Sequence, residues 1–311
     1  MTLGAALKAA VTVGLLGWFL ARFGATAALD ALRAADAVAV VAMLAVSVLM
    51  IMTIALRWHL LLRPLEGPAC GFREVSEATF IGYYAGYFLP SVGGDALRVS
   101  QLVKPGRRVG GLACSTVVDR GLGLVALLAL GAGAAAVHGA SGERAGAVWL
   151  AYVAAGGVLV AMLALWRGAG PAARWLGGLP AAPARGLARL ARTIARAAEV
   201  YGARRSVLLQ ALGLAVCSQL LSVSIYYGIA RAVGAGGRLL DFLYGVPVVN
   251  LAMVLPISLG GIGVGEWTFV YVFTDLGMAP EAAVSVSLLN LVARLGAGLG
   301  GAAVCVMARR P

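Results

Sequence analysis

Six ionisable residues stand inside stretches that are otherwise nearly all hydrocarbon: Asp95, Arg98, Asp119, Arg120, Glu266 and Arg294. In a medium without water such groups turn inward, pair, or line a path for a polar ligand. Asp95 and Arg98 are three residues apart and share a helical face; Ser287, Asn290 and Arg294 share another. Two of the three carboxylates follow a helix-breaking motif. The stretch YFLPSVGGDALR runs from Tyr87 to Arg98, and LPISLGGIGVGE runs from Leu255 to Glu266, each ordered Leu-Pro, Gly-Gly, acid. A guanidinium beside the start of a half-helix suits an anion, phosphate above all, through its charge and the unpaired backbone N–H groups. A carboxylate that alternates between such a guanidinium and a proton could couple anion binding to helix movement.

The candidate substrate-binding residues are therefore Arg57, Pro90, Gly93, Gly94, Asp95, Arg98, Asp119, Arg120, Asn250, Pro256, Gly260, Gly261, Glu266, Asn290 and Arg294. The competing account has the charges pair with one another and do no more than hold helices in register. No catalytic residue stands out, because P-loop, H-E-x-x-H and G-x-S-x-G patterns are all absent. Cys70, Cys114, Cys217 and Cys305 are scattered singly, as are His59 and His138, so no disulfide framework, metal site or cofactor is expected.

The elements that must position these residues are set by composition. With 61% hydrophobic residues, 12% charged and a mean hydropathy of +0.92, the chain is too apolar for a soluble domain and reads as an all-α polytopic membrane protein. Full spans of about 20 residues are expected at 4–22, 37–56, 109–137, 147–166, 206–230 and 281–307, six in all, the first retained rather than cleaved as a leader. Residues 77–90 and 241–255 are too short to cross and read as half-helices, returning through 95–103 and 268–277. A Pro-x-x-Gly-Gly break at membrane depth survives only where protein buries it or a wet cavity meets it. Residues 57–76 read as a turn-rich loop, with Trp58 at the membrane interface.

Charge supplies the orientation. Arg167 to Arg205 holds eight arginines and one acid, Glu199, which makes that loop cytoplasmic by the positive-inside rule. With both termini inside, 18 of the 25 basic residues fall on cytoplasmic segments, and the two broken hairpins enter from opposite sides as an inverted repeat. The organisation is then one membrane domain over 1–311, with repeat halves near 37–166 and 206–307 and a linker at 167–205. In that linker Leu187, Leu190, Ile194, Ala198 and Tyr201 share one helical face, opposite Arg185, Arg189, Arg192 and Arg196. That pattern describes either a helix in the headgroup plane or a solvated connector. The net charge of +12 points to orientation and anionic lipid rather than to nucleic acid.

The sequence resembles the family built on the membrane domain of lysylphosphatidylglycerol synthase, the flippase-like or uncharacterised protein family 0104. The resemblance rests on RWHLLLRPL at Arg57, FLPSVGGDALR, VVDRGLGL at Val117 and LPISLGGIGVGEW, in that order over nearly the whole chain. Family members often carry Arg before the second acid, where Gly265 precedes Glu266 in this chain. The resemblance implies movement of a lipid between leaflets of a bacterial inner membrane, the lipid being a phospholipid such as an aminoacylated phosphatidylglycerol, or a polyprenyl-phosphate-linked or hopanoid-type one. The aminoacyl-transferring domain of the bifunctional synthases is missing from this sequence, so a translocator rather than an enzyme is expected. The alternatives are an accessory subunit of a lipid-modifying enzyme or glycosyltransferase, and a membrane enzyme acting on lipid phosphate. A second copy of the chain or a lipid-biosynthesis enzyme is the expected protein partner.

Overall fold

Helix length separates the elements of the computed structural model into two kinds. The structure describes residues 3–23, 37–65, 69–89, 93–138, 199–255 and 257–308, with isolated positions between 152 and 195. They form α1 (Leu3–Phe23), α2 (Ala37–Leu62), α3 (Phe72–Gly86), α4 (Gly93–Gln101), α5 (Val109–His138), α6 (Arg205–Ala232), α7 (Leu239–Val254), α8 (Val264–Asp275) and α9 (Pro280–Ala308), with a 3₁₀ turn at Leu259–Gly261. No strand occurs among the described residues. Helices α2, α5, α6 and α9 have 26, 30, 28 and 29 residues. At 1.5 Å per residue they exceed the roughly 30 Å of hydrocarbon. Within them Val38–Leu62, Val109–Val137, Arg205–Ala232 and Pro280–Gly300 are long and apolar enough to cross a membrane. Helices α3, α4, α7 and α8, with 15, 9, 16 and 12 residues, are too short. Most of the expected span at 147–166 and of the 167–205 linker, and Pro90, Ser91 and Pro256, lie outside the described residues.

Several boundaries differ from expectation. Helix α2 runs on to Leu62 instead of ending at Arg57, because no breaker occurs before Pro64. Trp58 is consequently 0% exposed, a core residue rather than an interfacial one, packed among Leu62, Val75, Ala78, Leu102 and Leu112. Helix α3 starts a turn and more before Glu77, at Phe72, with Glu74 in its first turn where a carboxylate suits the helix dipole. It ends when the N–H groups of Phe88 and Leu89 bond back to the Ala85 carbonyl, just ahead of Pro90.

The two halves pack in matching ways. Helix α2 lies along α6 in the largest helix–helix contact; α3 packs on α9 and α7 on α5; α4 sits between α3 and α5, and α8 between α7 and α9. The α3–α4 approach is backbone on backbone. A methyl at Gly94 would stand 2.5 Å from the Gly82 carbonyl oxygen, and one at Gly82 would stand 2.7 Å from the Gly94 oxygen, so only glycine fits at either position. The main core joins α6 to α8 through stacked rings, Tyr226 on Phe269 at 5.1 Å and Phe269 on Phe273 at 4.1 Å. Helix α1 leans on the second break, where Leu259 N–H donates to Thr12 Oγ1 at 2.8 Å and Trp267 Nε1 donates to the Leu15 carbonyl at 3.1 Å.

Candidate functional site

Asp119 and Arg120 are neighbours on α5, about 100° apart around the helix, and that angle sends them to different places. Asp119 points inward and is 2% exposed, while the Arg120 side chain is 59% exposed. Asp119 stands ten residues into α5, about 15 Å from the helix start and well inside its apolar stretch. Its Oδ1 accepts from Arg57 Nε of α2 at 2.6 Å, and its Oδ2 from Arg98 Nη2 of α4 at 3.0 Å. Arg98 Nε lies 3.3 Å from Asp95 Oδ1, and Asp95 Oδ2 lies 2.8 Å from Arg120 Nη2. The result is an alternating chain, Arg57, Asp119, Arg98, Asp95, Arg120, running from the interior to an accessible end. Three guanidiniums face two carboxylates, one positive charge in excess.

Neutral side chains fix this array. The Arg98 guanidinium stacks on the Trp58 ring at 4.3 Å, and Trp58 Nε1 donates to Ser115 Oγ at 3.0 Å. Arg57 Nη1 reaches Ser218 Oγ of α6 at 3.5 Å. The nominated charges thus do pair, as the structural account expected, yet the pairing leaves a net charge and an accessible guanidinium. Trp58, Ser115 and Ser218 were not nominated. Their only sequence signal is a polar or aromatic residue on a helix face that would otherwise be all aliphatic.

The second break differs from expectation. Gly260 and Gly261 do not begin a helix; they form the 3₁₀ turn with φ of +57° and +74°, and α8 starts only at Val264 after Gly263 at φ +84°. The Gly263 N–H donates to Glu266 Oε2 at 2.6 Å, so the chain's own acid occupies the half-helix start expected to take a phosphate. Glu266 and Arg294 pair only loosely, at 3.9 Å. Arg294 mainly donates to the Gly260 carbonyl, from Nη2 at 2.8 Å, with Nη1 3.4 Å from Met253 Sδ and its guanidinium 5.6 Å from the Tyr87 ring. A methyl on Gly260 would stand 3.0 Å from the Tyr87 Cα, so the tips of the two broken hairpins meet there.

The remaining nominees lie apart from both clusters or alongside them. Asn250 of α7 donates to Gln219 Oε1 at 3.2 Å and Ser222 Oγ at 3.1 Å, both on α6. Asn290 is buried on α9, one turn before Arg294. Gly93 and Gly94 open α4 beside Asp95.

A separate clamp closes the base of the first hairpin. Glu74 accepts from Arg107 through both oxygens, at 2.7 and 2.9 Å, and from Lys104 at 2.8 Å, while Arg107 Nη2 also holds the Ala69 carbonyl at 3.0 Å. The Arg107 hydrogen bonds hold the Glu74 carboxyl down at about 2, against an ordinary 4.5. Because the folded value is depressed, the clamp's contribution is full above about pH 4.5 and disappears as pH falls through about 2. Pepsin cleavage of the 102–108 loop is accordingly expected to stay slow at pH 4 and to rise steeply toward pH 2. In Glu74→Gln, trypsin is expected to cut at Arg107 or Arg108 several-fold faster at neutral pH. Equal cleavage of the two proteins would show that the clamp does not hold the loop.

A family model described as "Lysylphosphatidylglycerol synthase TM region" matches residues 5–297. Neither the curated proteins nor the solved structures contain a match.

Proposed function

Since the chain belongs to the family of the lysylphosphatidylglycerol synthase TM region, a membrane family tied to lipid, we propose that it is a lipid translocase. Its cargo on this reading is a lipid with an anionic, phosphate-containing headgroup, of phospholipid or polyprenyl-phosphate type, moved between leaflets of a bacterial inner membrane. The observation that carries the reading is the arginine–aspartate chain inside the spans, with one positive charge in excess and Arg120 accessible at its outer end. An accessible arginine at that depth is costly against hydrocarbon and useful against a passing phosphate.

The same reading takes the two broken segments as re-entrant hairpins in an inverted repeat, with six full spans and both termini cytoplasmic. The packing supports the repeat. Exchanging α2–α3–α4–α5 for α6–α7–α8–α9 turns the α3–α9 contact into the α7–α5 contact and leaves α2–α6 in place. Transport then involves no covalent step: the headgroup engages Arg98 and Arg120, and the hairpin tips that meet at Tyr87 and Gly260 part and close around it.

The test is reconstitution. Proteoliposomes holding headgroup-labelled phosphatidylglycerol are treated with a membrane-impermeant quencher, and the slow phase reports lipid crossing from the inner leaflet. Wild type and Arg73→Gln, whose side chain is 93% exposed in the first turn of α3, are expected to cross at equal rates. Arg98→Gln is expected to fall at least tenfold, toward protein-free vesicles. A wild-type rate no greater than that of protein-free vesicles would overturn the reading.

A further inference from the structure

The two carboxylates of the charge chain are held very differently. Asp119 is 2% exposed and both of its oxygens make aligned hydrogen bonds to buried arginines, so it is a fixed part of the interior. Asp95 sits at the accessible end with 13% of its side chain exposed, in the first turn of α4. One oxygen faces Arg120, which is mostly exposed; the other faces Arg98 Nε at 3.3 Å without hydrogen-bond alignment. Arg98 is 5% exposed, and that Nε is a buried donor left without a hydrogen-bond acceptor. A buried guanidinium N–H next to an anion that fails to satisfy it marks a place for a better-fitting anion.

We infer that Asp95 is a built-in competitor for the ligand's phosphate: its carboxylate occupies Arg98 and Arg120 in the empty protein and is displaced when a phosphate group binds between them. The inference rests on the proposed function and deepens it by naming the group recognised and the residue that opposes its binding. Two phosphate oxygens can take the places of Oδ1 and Oδ2, one on each guanidinium, and the tetrahedral group can reach the Arg98 N–H that the carboxylate leaves unpaired. Asp95 also answers a requirement of transport. A site that releases its lipid at membrane depth must not leave bare guanidiniums behind, and Asp95 reseats on both as the phosphate departs. Binding is thereby weakened to the point where release is possible.

The sign of the effect makes the inference testable, because removing a polar residue from a binding site ordinarily weakens binding. Withdrawing the Asp95 charge raises the excess from one positive charge to two. The full chain in dodecylmaltoside is titrated calorimetrically with dihexanoyl phosphatidylglycerol and, separately, with inorganic phosphate. Asp95→Asn is expected to tighten the lipid Kd about tenfold, and Arg120→Gln to weaken it by a similar factor. Asp95→Asn binding no tighter than wild type, with an unchanged elution profile and Tm, overturns the inference while leaving the translocase reading standing. If Asp95→Asn does not fold, Asp95→Asn with Arg120→Gln restores the original charge excess. Its affinity must then exceed that of Arg120→Gln alone, and equal affinities overturn the inference. Tightening toward inorganic phosphate alone upholds the competitor and removes the lipid. Absence of binding by either ligand to any of the proteins overturns both readings.

Discussion

Asp119→Asn is expected to abolish most of the folded protein in the membrane. The carboxylate it removes bridges Arg57 and Arg98, at 2.6 and 3.0 Å, the one such bridge among the described residues, and all three side chains are at least nine-tenths buried. An asparagine can accept one of these hydrogen bonds but cancels neither charge. Breaking a buried ion pair by removing one partner costs about 3–5 kcal/mol in soluble proteins, against a total stability of about 5–15 kcal/mol, and this carboxylate serves two partners. The measurement is the monodisperse fraction after detergent extraction, together with Tm. Replacing the whole pair is expected to be far milder than breaking it, so Arg57→Met with Asp119→Asn should recover most of the lost abundance, Arg98 still facing Asp95. A single Asp119→Asn variant as stable as wild type would mean that water reaches Arg57 and Arg98, and the network would then be a hydrated vestibule instead of a dry one.

That central pairing is also where sequence reading stopped short. Arg57 follows some twenty apolar residues, and a charge in that position looks like the end of a span. Its meaning depends on Asp119, 62 positions later, and no local pattern carries that information. Trp58 was misplaced for the same reason: once α2 continues to Leu62, the ring faces inward to support Arg98. The breaks themselves were legible because each combines a Leu-Pro step with a glycine pair a few residues on, a combination that stops a helix where Pro247 alone in α7 or Gly110–Gly111 alone in α5 does not, and α3, α4, α7 and α8 fall close to the expected places. The finer geometry of the second break was not. LGGIGVGE reads as a helix starting at the glycine pair, whereas positive φ at Gly260, Gly261 and Gly263 postpones the start to Val264 and hands the capping role to Glu266. Glycine composition signals a break, and side-chain partners decide where the helix resumes.

The partners at that second break predict an asymmetry between Glu266 and Arg294. Glu266 makes its short contact with the Gly263 N–H, at 2.6 Å, and only a 3.9 Å contact with Arg294. Glutamine keeps an oxygen for the N–H, so Glu266→Gln preserves the cap. It leaves Arg294 with the Gly260 carbonyl at 2.8 Å, the Tyr87 ring and the nearby carboxyl end of α7, all of which suit a cation. Its stability loss is expected to stay near 1 kcal/mol, the scale of one weakened polar contact. Arg294→Gln is the opposite case, since it strands a carboxylate that is 2% exposed and frees the Gly260 carbonyl where the hairpin tips meet. A loss of about 3–5 kcal/mol is expected, read as a much lower Tm and poor recovery from detergent. Adding Glu266→Gln to Arg294→Gln removes the stranded charge and should restore part of the lost stability. If the two single variants lose equal stability, the 3.9 Å ion pair matters more than the cap and the carbonyl contact, and Arg294 acts as a counter-ion rather than as the tie between the two breaks.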